Sequence, residues 1–413
     1  MNSEELHIQF RFPLFRNEKW DLHKLSEIAE YTNGRAHEQD IETNGKYIVV
    51  NSKYISTDGE VVKYSNTANC LAEKNDILMV LSDVPNGRAI AKCYLVKEDN
   101  KYTVNQRICK ITPKQGIESS LLYYLMNRNP YFLSFDDGVK QTNLRNDDVL
   151  NFEILLPTNP AEQQKIAACL SSLDDVIAGH EEKLTALEEH KKGLMQNLFP
   201  QEGSTQPKYR FPEFKNDRDW DVVPFSKYIT LFRGSSPRPI VDFQTTDEDA
   251  VNWIKIGDTK NAIGYKLQYA EEKITHEGSR RSRPVVKGEI ILANSMSYGK
   301  AYILELDGCI YDGWFVLRKY EEFFDKNYLI QLLNSDYLQN QYKKLAAGGI
   351  VQNISSDIVY NTELFHTTKE EQQKIALVLS SVDDLIIAQR EKIEALKAHK
   401  KGLMQGLFPK IES

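Results

Sequence analysis

The sequence has no long hydrophobic run. Its longest purely aliphatic stretch, Ile77-Leu78-Met79-Val80-Leu81, is far below the roughly 20 apolar residues a membrane helix needs. Met1-Asn2-Ser3-Glu4-Glu5 is acidic and polar, with no signal-peptide core behind it, so the expected location is cytoplasmic and no membrane is involved. Cysteine is scarce. The 5 present (Cys70, Cys93, Cys109, Cys169, Cys309) are odd in number and form no Cys-x-x-Cys, which argues against a disulfide framework and a structural zinc. The 8 histidines do not pair at metal-ligand spacing, so no metal site is expected and the thiols read as free and mostly buried. Excess positive charge is missing too, with a net charge of −7. Residues 1–160 and 161–200 each carry −3, residues 201–369 carry −1, and 370–409 balance. Tight unaided polyanion binding is therefore not expected, because the counter-ion term is small. A local basic surface, or partners that supply the positive charge, stays compatible with this balance.

Catalytic signatures are equally absent. No Gly-x4-Gly-Lys-Ser/Thr loop occurs, and no Gly-x-Gly opens a helix after a strand, so neither ATP nor a dinucleotide-type cofactor is expected by those routes. Asn129-Pro130-Tyr131-Phe132 is faintly similar to the Asn-Pro-Pro-Phe/Tyr loop of adenine methyltransferases. It lacks the second proline and reads as a helix end. Asp258 with Glu271 and Lys273 loosely fits a metal-dependent nuclease pattern, but at 27% charged residues such spacings arise readily on a solvated surface. No catalytic residue is assigned.

What is present is a duplication. Residues 161–200 and 370–409 align at an offset of 209 with 26 of 40 positions identical. Weaker matches extend through each half. Arg11-Phe12-Pro13 and Trp20 answer Arg210-Phe211-Pro212 and Trp220, and Gly34 answers Gly234. Tyr47–Asn51 is aligned with Trp253–Gly257, and Asp76-Ile77-Leu78 with Glu289-Ile290-Ile291. Each half is thus a variable segment of roughly 160 residues followed by a near-constant one of 40.

The constant segments read as helices. Asn159-Pro160 with Glu162, and Thr368 with Glu371, have the form of capping boxes. Apolar residues follow a 4-3 rhythm: Ile166, Leu170, Leu173, Ile177, Leu184 and Leu187 in the first, then Ile375, Leu379, Val382, Ile386, Ile393 and Leu396 in the second. Only His180/Gln389 and Lys191/Lys400 are polar on that seam. A sustained heptad stripe predicts that the two helices pair as a coiled coil; the alternative is two amphipathic helices packed separately on their own domains. The variable segments mix short β runs (Tyr47–Asn51, Asp76–Leu81, Glu289–Ala293, Ile310–Leu317) with helical stretches near Ser119–Met126 and Lys326–Asn334, which predicts an α+β fold. The divisions are 1–160, 161–200, a polar linker 201–208, 209–369 and 370–409.

Several groups could contact a nucleic acid. Arg280-Arg281-Ser282-Arg283, between Gly278 and Pro284, reads as a basic loop suited to phosphates and guanine edges. Its bland alternative is a solvated charged loop. Asn86-Gly87-Arg88 and Tyr298-Gly299-Lys300 follow matching strands. Lys140, Gln141, Asn143 and Arg145, with Gln352 and Asn353, offer amides that could read adenine or else cap the following helix. Arg35 and Lys255 are weaker candidates.

The doubled Glu-Gln-Gln-Lys-Ile-Ala openings (162–167, 371–376) and His-Lys-Lys-Gly-Leu-Met-Gln-x-Leu-Phe-Pro endings (190–200, 399–409) resemble the specificity subunit of type I restriction–modification systems. The Arg-Phe-Pro openings and the Trp253-Ile254-Lys255-Ile256-Gly257-Asp258 strand are also similar, and the likeness covers essentially the whole chain. It implies two pseudo-symmetric α/β target-recognition domains separated by two long antiparallel coiled-coil helices. Each domain would read one half of a split double-stranded DNA target. The helices would dock two methyltransferase subunits that use S-adenosylmethionine, and two restriction/translocase subunits would use ATP and Mg²⁺. This chain would bind no cofactor itself. A metal-dependent nuclease and a coiled-coil adaptor that does not read DNA are the competing readings. One departure from the repeat is Thr367 where Pro157 stands in the first copy, with a local change and no loss of role expected.

Overall fold

A computed structural model describes residues 8–84, 87–295, 299–346 and 353–409. The chain forms two compact units: residues 1–179 with 394–413, and residues 180–393. No helix among the described residues is long and apolar enough to cross a membrane.

The first unit is built on two small sheets. One has the strand order Ile41–Glu42, Tyr64–Ser65, Tyr47–Val50, Tyr102–Val104, Leu71–Ala72; the other runs Ala29–Asn33, Ile108–Pro113, Ile77–Val80, Cys93–Leu95. Among the described residues, the pairings in this unit are antiparallel except one: Tyr47–Val50 lies parallel to Tyr102–Val104, with Val50 opposite Val104. Strand Ile77–Val80 is buried at every position, which explains the aliphatic run seen in the sequence. It is a central strand covered on both faces, the usual setting for an unbroken apolar stretch. Asn129 caps, and Pro130 opens, the one-turn helix Pro130–Leu133, so the Asn-Pro-Tyr-Phe stretch is a helix start. The buried thiols sit in these cores, and burial pushes the Cys109 thiol up to about 12, which leaves it inert.

The second unit repeats this plan with five strands in each sheet. In the equivalent sheet Val251–Ile254 lies parallel to Gly308–Ile310, with Ile254 opposite Ile310, and in the other sheet Lys266–Leu267 lies parallel to Ala301–Leu304. Two sequence expectations need correction here. The run Ile310–Leu317 is not one strand. It splits into Gly308–Ile310 and Trp314–Arg318, which belong to different sheets. Gly313 lies in the break, where an added Cβ would come within 2.1 Å of the Tyr311 ring. The alignment of Tyr47–Asn51 with Trp253–Gly257 is also shifted by two residues. The ladders equate Val50 with Ile254, and so Asn51 with Lys255; each of these begins the short helix that follows its strand.

The two long helices span Pro160–Leu198 and Lys369–Leu407, 39 residues each. Within the first unit, Ile166 and Leu170 pack with Leu403, Met404 and Leu407; within the second, Ile375 and Leu379 pack with Leu194, Met195 and Leu198. Ile177, Val382, Ile386 and Ile393 are also buried, while Leu173, Leu184, Leu187 and Leu396 are half-buried. The polar seam residues are partnered. Lys191 Nζ donates to Asp383 at 2.6 Å and to Tyr265 Oη at 3.1 Å. The equivalent Lys400 donates to Asp174, whose other oxygen accepts from Tyr124 Oη at 2.7 Å. Gln389 Nε2 donates to the His180 carbonyl at 2.7 Å. In each unit the contacting helical segments therefore run antiparallel.

The capping boxes are not formed as expected. Asn159 does accept from Ala161 N, and Thr368 Oγ1 from Glu371 N at 3.4 Å, but neither glutamate reaches back to its cap. Glu162 instead takes a two-point pair from Arg11, both contacts 2.9 Å, and Glu371 takes one from Arg210, both 2.8 Å. The glutamine one residue on ties two more pieces together. Gln163 donates to the Pro157 carbonyl and accepts from Glu118 N, which begins helix Ser119–Met126. Gln372 does the same with the Thr367 carbonyl and Asp325 N, at the start of Lys326–Leu333. The doubled Glu-Gln-Gln is thus a staple joining the Arg-Phe-Pro opening, the last strand and a domain helix. Thr367 stands where Pro157 does, and its hydroxyl donates to Glu371.

Gly193 and Gly402, equivalent interior positions of the two helices, have open space where a Cβ would stand. Changing both to alanine is expected to stabilise the chain by about 0.5–1 kcal/mol per site, read as an upward shift of the denaturant midpoint. No shift at either site would show that the backbone there departs from regular helix in solution.

Candidate nucleic-acid interface

The turns flagged in the sequence are brought together with the amide-rich segments, separately in each unit. In the first, Thr142–Asn143 pairs antiparallel with Ser82–Asp83, and Gln141 Nε2 donates to Ser82 Oγ at 2.7 Å. Asn143 thus lies in this short strand and Gln141 just before it, and neither caps the next helix. Arg145 opens that helix, its N–H bonded to Asp148. The turn carrying Gly87 and Arg88 is wound around Asp83, whose carboxylate accepts from the N–H groups of Val84, Ala89 and Ile90. Arg88, Gln141, Asn143 and Arg145 are exposed around this edge, and Lys140 is exposed just before it. In the second unit Asn353 bridges Ser295, and Ile354 N donates to the Asn294 carbonyl at 2.8 Å, as Leu144 N does to Leu81. Exposed Lys300 follows Gly299, whose φ of +81° suits glycine. Asn86 and Gln352 lie outside the described residues.

The arginine cluster is not a loop. Arg280 ends helix His276–Arg280, and Arg283 begins strand Arg283–Val285. Ser282 between them is buried, with its hydroxyl donating to the Ser235 carbonyl at 2.6 Å. Arg281 pairs with Glu277 at 2.7 Å and lies over Phe243, while Arg283 donates to the Arg233 carbonyl over Phe232. Two of the three guanidiniums are thus partly committed inside the domain, and Arg280 is exposed without an ion pair among the described residues. Nor are Asp258, Glu271 and Lys273 arranged as metal ligands. Asp258 is buried and accepts the N–H groups of Lys255 and Glu271; Glu271 pairs with Lys260; Lys273 donates to the Glu248 carbonyl. Among the described residues no group of three or more His, Cys, Asp or Glu could hold a metal.

Each unit also has a cavity beyond the carboxyl ends of its parallel strand pair. The corresponding anchors are close copies. Arg35 N donates to the Val104 carbonyl and Asn105 N to Val50; Ser235 N donates to Ile310 and Tyr311 N to Ile254. Gly34 and Gly234 allow this close crossing, since a Cβ would stand 2.1 Å from the Asn105 carbonyl oxygen and 1.9 Å from that of Tyr311. The first cavity, about 470 Å³, is lined by Glu38, Asn51, Lys53, Lys63, Asn105 and Arg107, among others. The second, about 710 Å³, is lined by Arg238, Pro239, Trp253, Lys255, Glu272 and Tyr311, among others. Lys255 is paired with Glu272 there, which lowers the pKa of that carboxyl mainly through this hydrogen bond. The cations Lys53, Lys63 and Arg107 went unmarked in the sequence because they are scattered along it and meet only in the fold.

One scaffold built twice, with different side chains on each copy and a near-constant helix after each, is the build of a two-part recognition protein. A family model described as "Type I restriction modification DNA specificity domain" matches residues 17–189 and 219–398. The chain belongs to that family, and it is the DNA sequence-recognition subunit of a type I restriction–modification system. It is 26% identical to the type I restriction enzyme MjaVIII specificity subunit of Methanocaldococcus jannaschii, over 98% of this chain and 95% of that one. It is 23% identical to the putative MjaX specificity subunit of the same organism, over 95% and 93%. Its fold is similar to that of the type I S subunit from M. genitalium (TM-score 0.62, 15% identity, covering 97% of this chain and 99% of that one). It is also similar to a chain solved in work on complex assembly and conformational transition of the type I system (TM-score 0.57, 18% identity, covering 97% and 99%).

Proposed function

We propose that residues 1–160 and 209–369 each read one half of a bipartite double-stranded DNA target, and that the two long helices act as an antiparallel coiled-coil spacer that sets the gap. The same helices dock two methyltransferase subunits, which transfer a methyl group from S-adenosylmethionine to adenine. Two restriction/translocase subunits with ATP and Mg²⁺ complete the complex, and this chain is its non-catalytic reader. The observation that carries the reading is the contrast between variable heads and near-identical helices within one chain.

A second feature supports a partner bound twice. Val176 and Leu385, equivalent at the offset of 209, are 47% and 56% exposed, and Leu22 and Val222, each two residues after its domain's Trp, are 46% and 40% exposed. Large apolar side chains left in water at the same place in both copies suit a repeated interface. Val176→Glu and Leu385→Glu are each expected to remove one methyltransferase subunit from the purified complex, seen as a loss of one subunit's mass by native mass spectrometry. Full retention in both variants would exclude this face.

The spacer reading is tested by lengthening. Seven residues, two helical turns, inserted at equivalent sites in both helices add about 10 Å. At 3.4 Å per base pair this should widen the gap in the methylated motif by about three base pairs with both half-sites unchanged. An unaltered gap in a complex that still methylates would contradict it.

A further inference from the structure

We propose that the paired cavities beyond the parallel strand ends are where each variable domain discriminates base pairs, and that residues 51/255, 105/311 and 38/238 set the half-site preference. This inference rests on the reading of the chain as a bipartite DNA reader. The argument is a comparison within one molecule. The ladder, the crossing glycine and the helix start after the strand are kept in both copies, so folding fixes these. The lining side chains are not kept: Asn51 stands where Lys255 does, Asn105 where Tyr311 does, and Glu38 where Arg238 does. A scaffold held constant under a changed lining points to the lining as what differs in recognition.

The two linings offer opposite chemistry. Around the first cavity Lys53, Lys63 and Arg107 are exposed and have no ion-pair partner among the described residues. The one carboxylate, Glu38, accepts from Gln106 at 3.1 Å. Asn51 Oδ1 is taken by Tyr54 N, which leaves its NH2 to donate outward. This is a donor-rich, net positive recess inside a domain whose overall charge is negative. It suits a phosphate and the two acceptors that guanine presents in the major groove. In the second cavity the walls are Trp253, Tyr311, Pro239 and Ile240, and the Lys255 charge is neutralised by Glu272, which also accepts from Gln244 at 2.8 Å. Arg238, also in the lining, stands 3.7 Å from the Asp312 carboxylate, so with both cations paired this surface gives a phosphate less than the first cavity does. It suits apolar contact with the thymine methyl group.

The test uses the full chain assembled with its methyltransferase partner and carrying Arg107→Ala, Asn105→Ala or Tyr311→Ala, with folding checked by melting. The methylated motif is read by long-read sequencing. Arg107→Ala or Asn105→Ala should relax a G·C position in one half-site, raising methylation of the mismatched sites relative to cognate about tenfold or more, with the other half unchanged. Tyr311→Ala should relax an A·T position in the other half only. Folded variants that keep the wild-type motif, or that lose methylation evenly over all sequences, overturn the cavity assignment while leaving bipartite reading intact. A wild-type complex with no bipartite motif overturns the reading itself, and the cavity assignment with it.

Discussion

Replacing residues 1–158 by the corresponding segment of another specificity subunit is expected to change one half of the methylated motif entirely and leave the other half and the gap as they were. Each unit encloses its own core, and among the described residues no sheet mixes strands from the two variable segments. The contacts at the join include the repeated ones, Arg11 to Glu162 and Gln163 to Glu118 and the Pro157 carbonyl. A donor segment with the same Arg-Phe-Pro opening should find the same partners on the retained helix. The methylome of a strain carrying the chimera reads the outcome directly. Changes in both halves would mean that the two domains do not read independently.

Arg210→Ala should destabilise the second unit by about 3–5 kcal/mol. Glu371 is 1% exposed and holds Arg210 by two contacts, and it also accepts from Trp220 Nε1 at 3.1 Å. Without the guanidinium, a buried carboxylate is left with neutral donors only. The double variant Arg210→Met, Glu371→Leu removes both charges and should recover much of the loss, since a buried pair is often no better than apolar residues of like volume. Denaturant unfolding of the three chains settles this. A single variant within about 1 kcal/mol of the parent would show that water reaches the carboxylate.

The duplication is legible because 26 of 40 positions are identical at one offset, and both long helices because 3.5-residue periodicity over 40 residues leaves little alternative. The splitting of Ile310–Leu317 was not, because both pieces are apolar and only the turn at Gly313 separates them. The two-residue slip at Tyr47 and Trp253 has a physical origin. Side chains in a strand repeat with period two, so a shift of two keeps every residue on its face, and hydrophobic pattern alone cannot detect it. Capping boxes were expected at Glu162 and Glu371 because local spacing suggests a local partner. Arginines some 150 residues away took those carboxylates instead. The basic run 280–283 drew attention as a cluster in sequence, yet the fold commits two of its arginines to Glu277 and the Arg233 carbonyl. The cations with no ion-pair partner among the described residues around the first cavity come from positions 53, 63 and 107, which the parallel ladder and the antiparallel pairing of Tyr47–Val50 with Tyr64–Ser65 bring together.

The central claim is that one chain reads two separated half-sites for a methyltransferase. Long-read sequencing of host DNA for N6-methyladenine, with and without the gene for this chain, tests it most directly. The account predicts loss of methylation at a single bipartite motif, two specified halves around a fixed unspecified gap, when the gene is removed. An unchanged methylome in a host whose methyltransferase partner is expressed, or loss at one continuous motif, would contradict it.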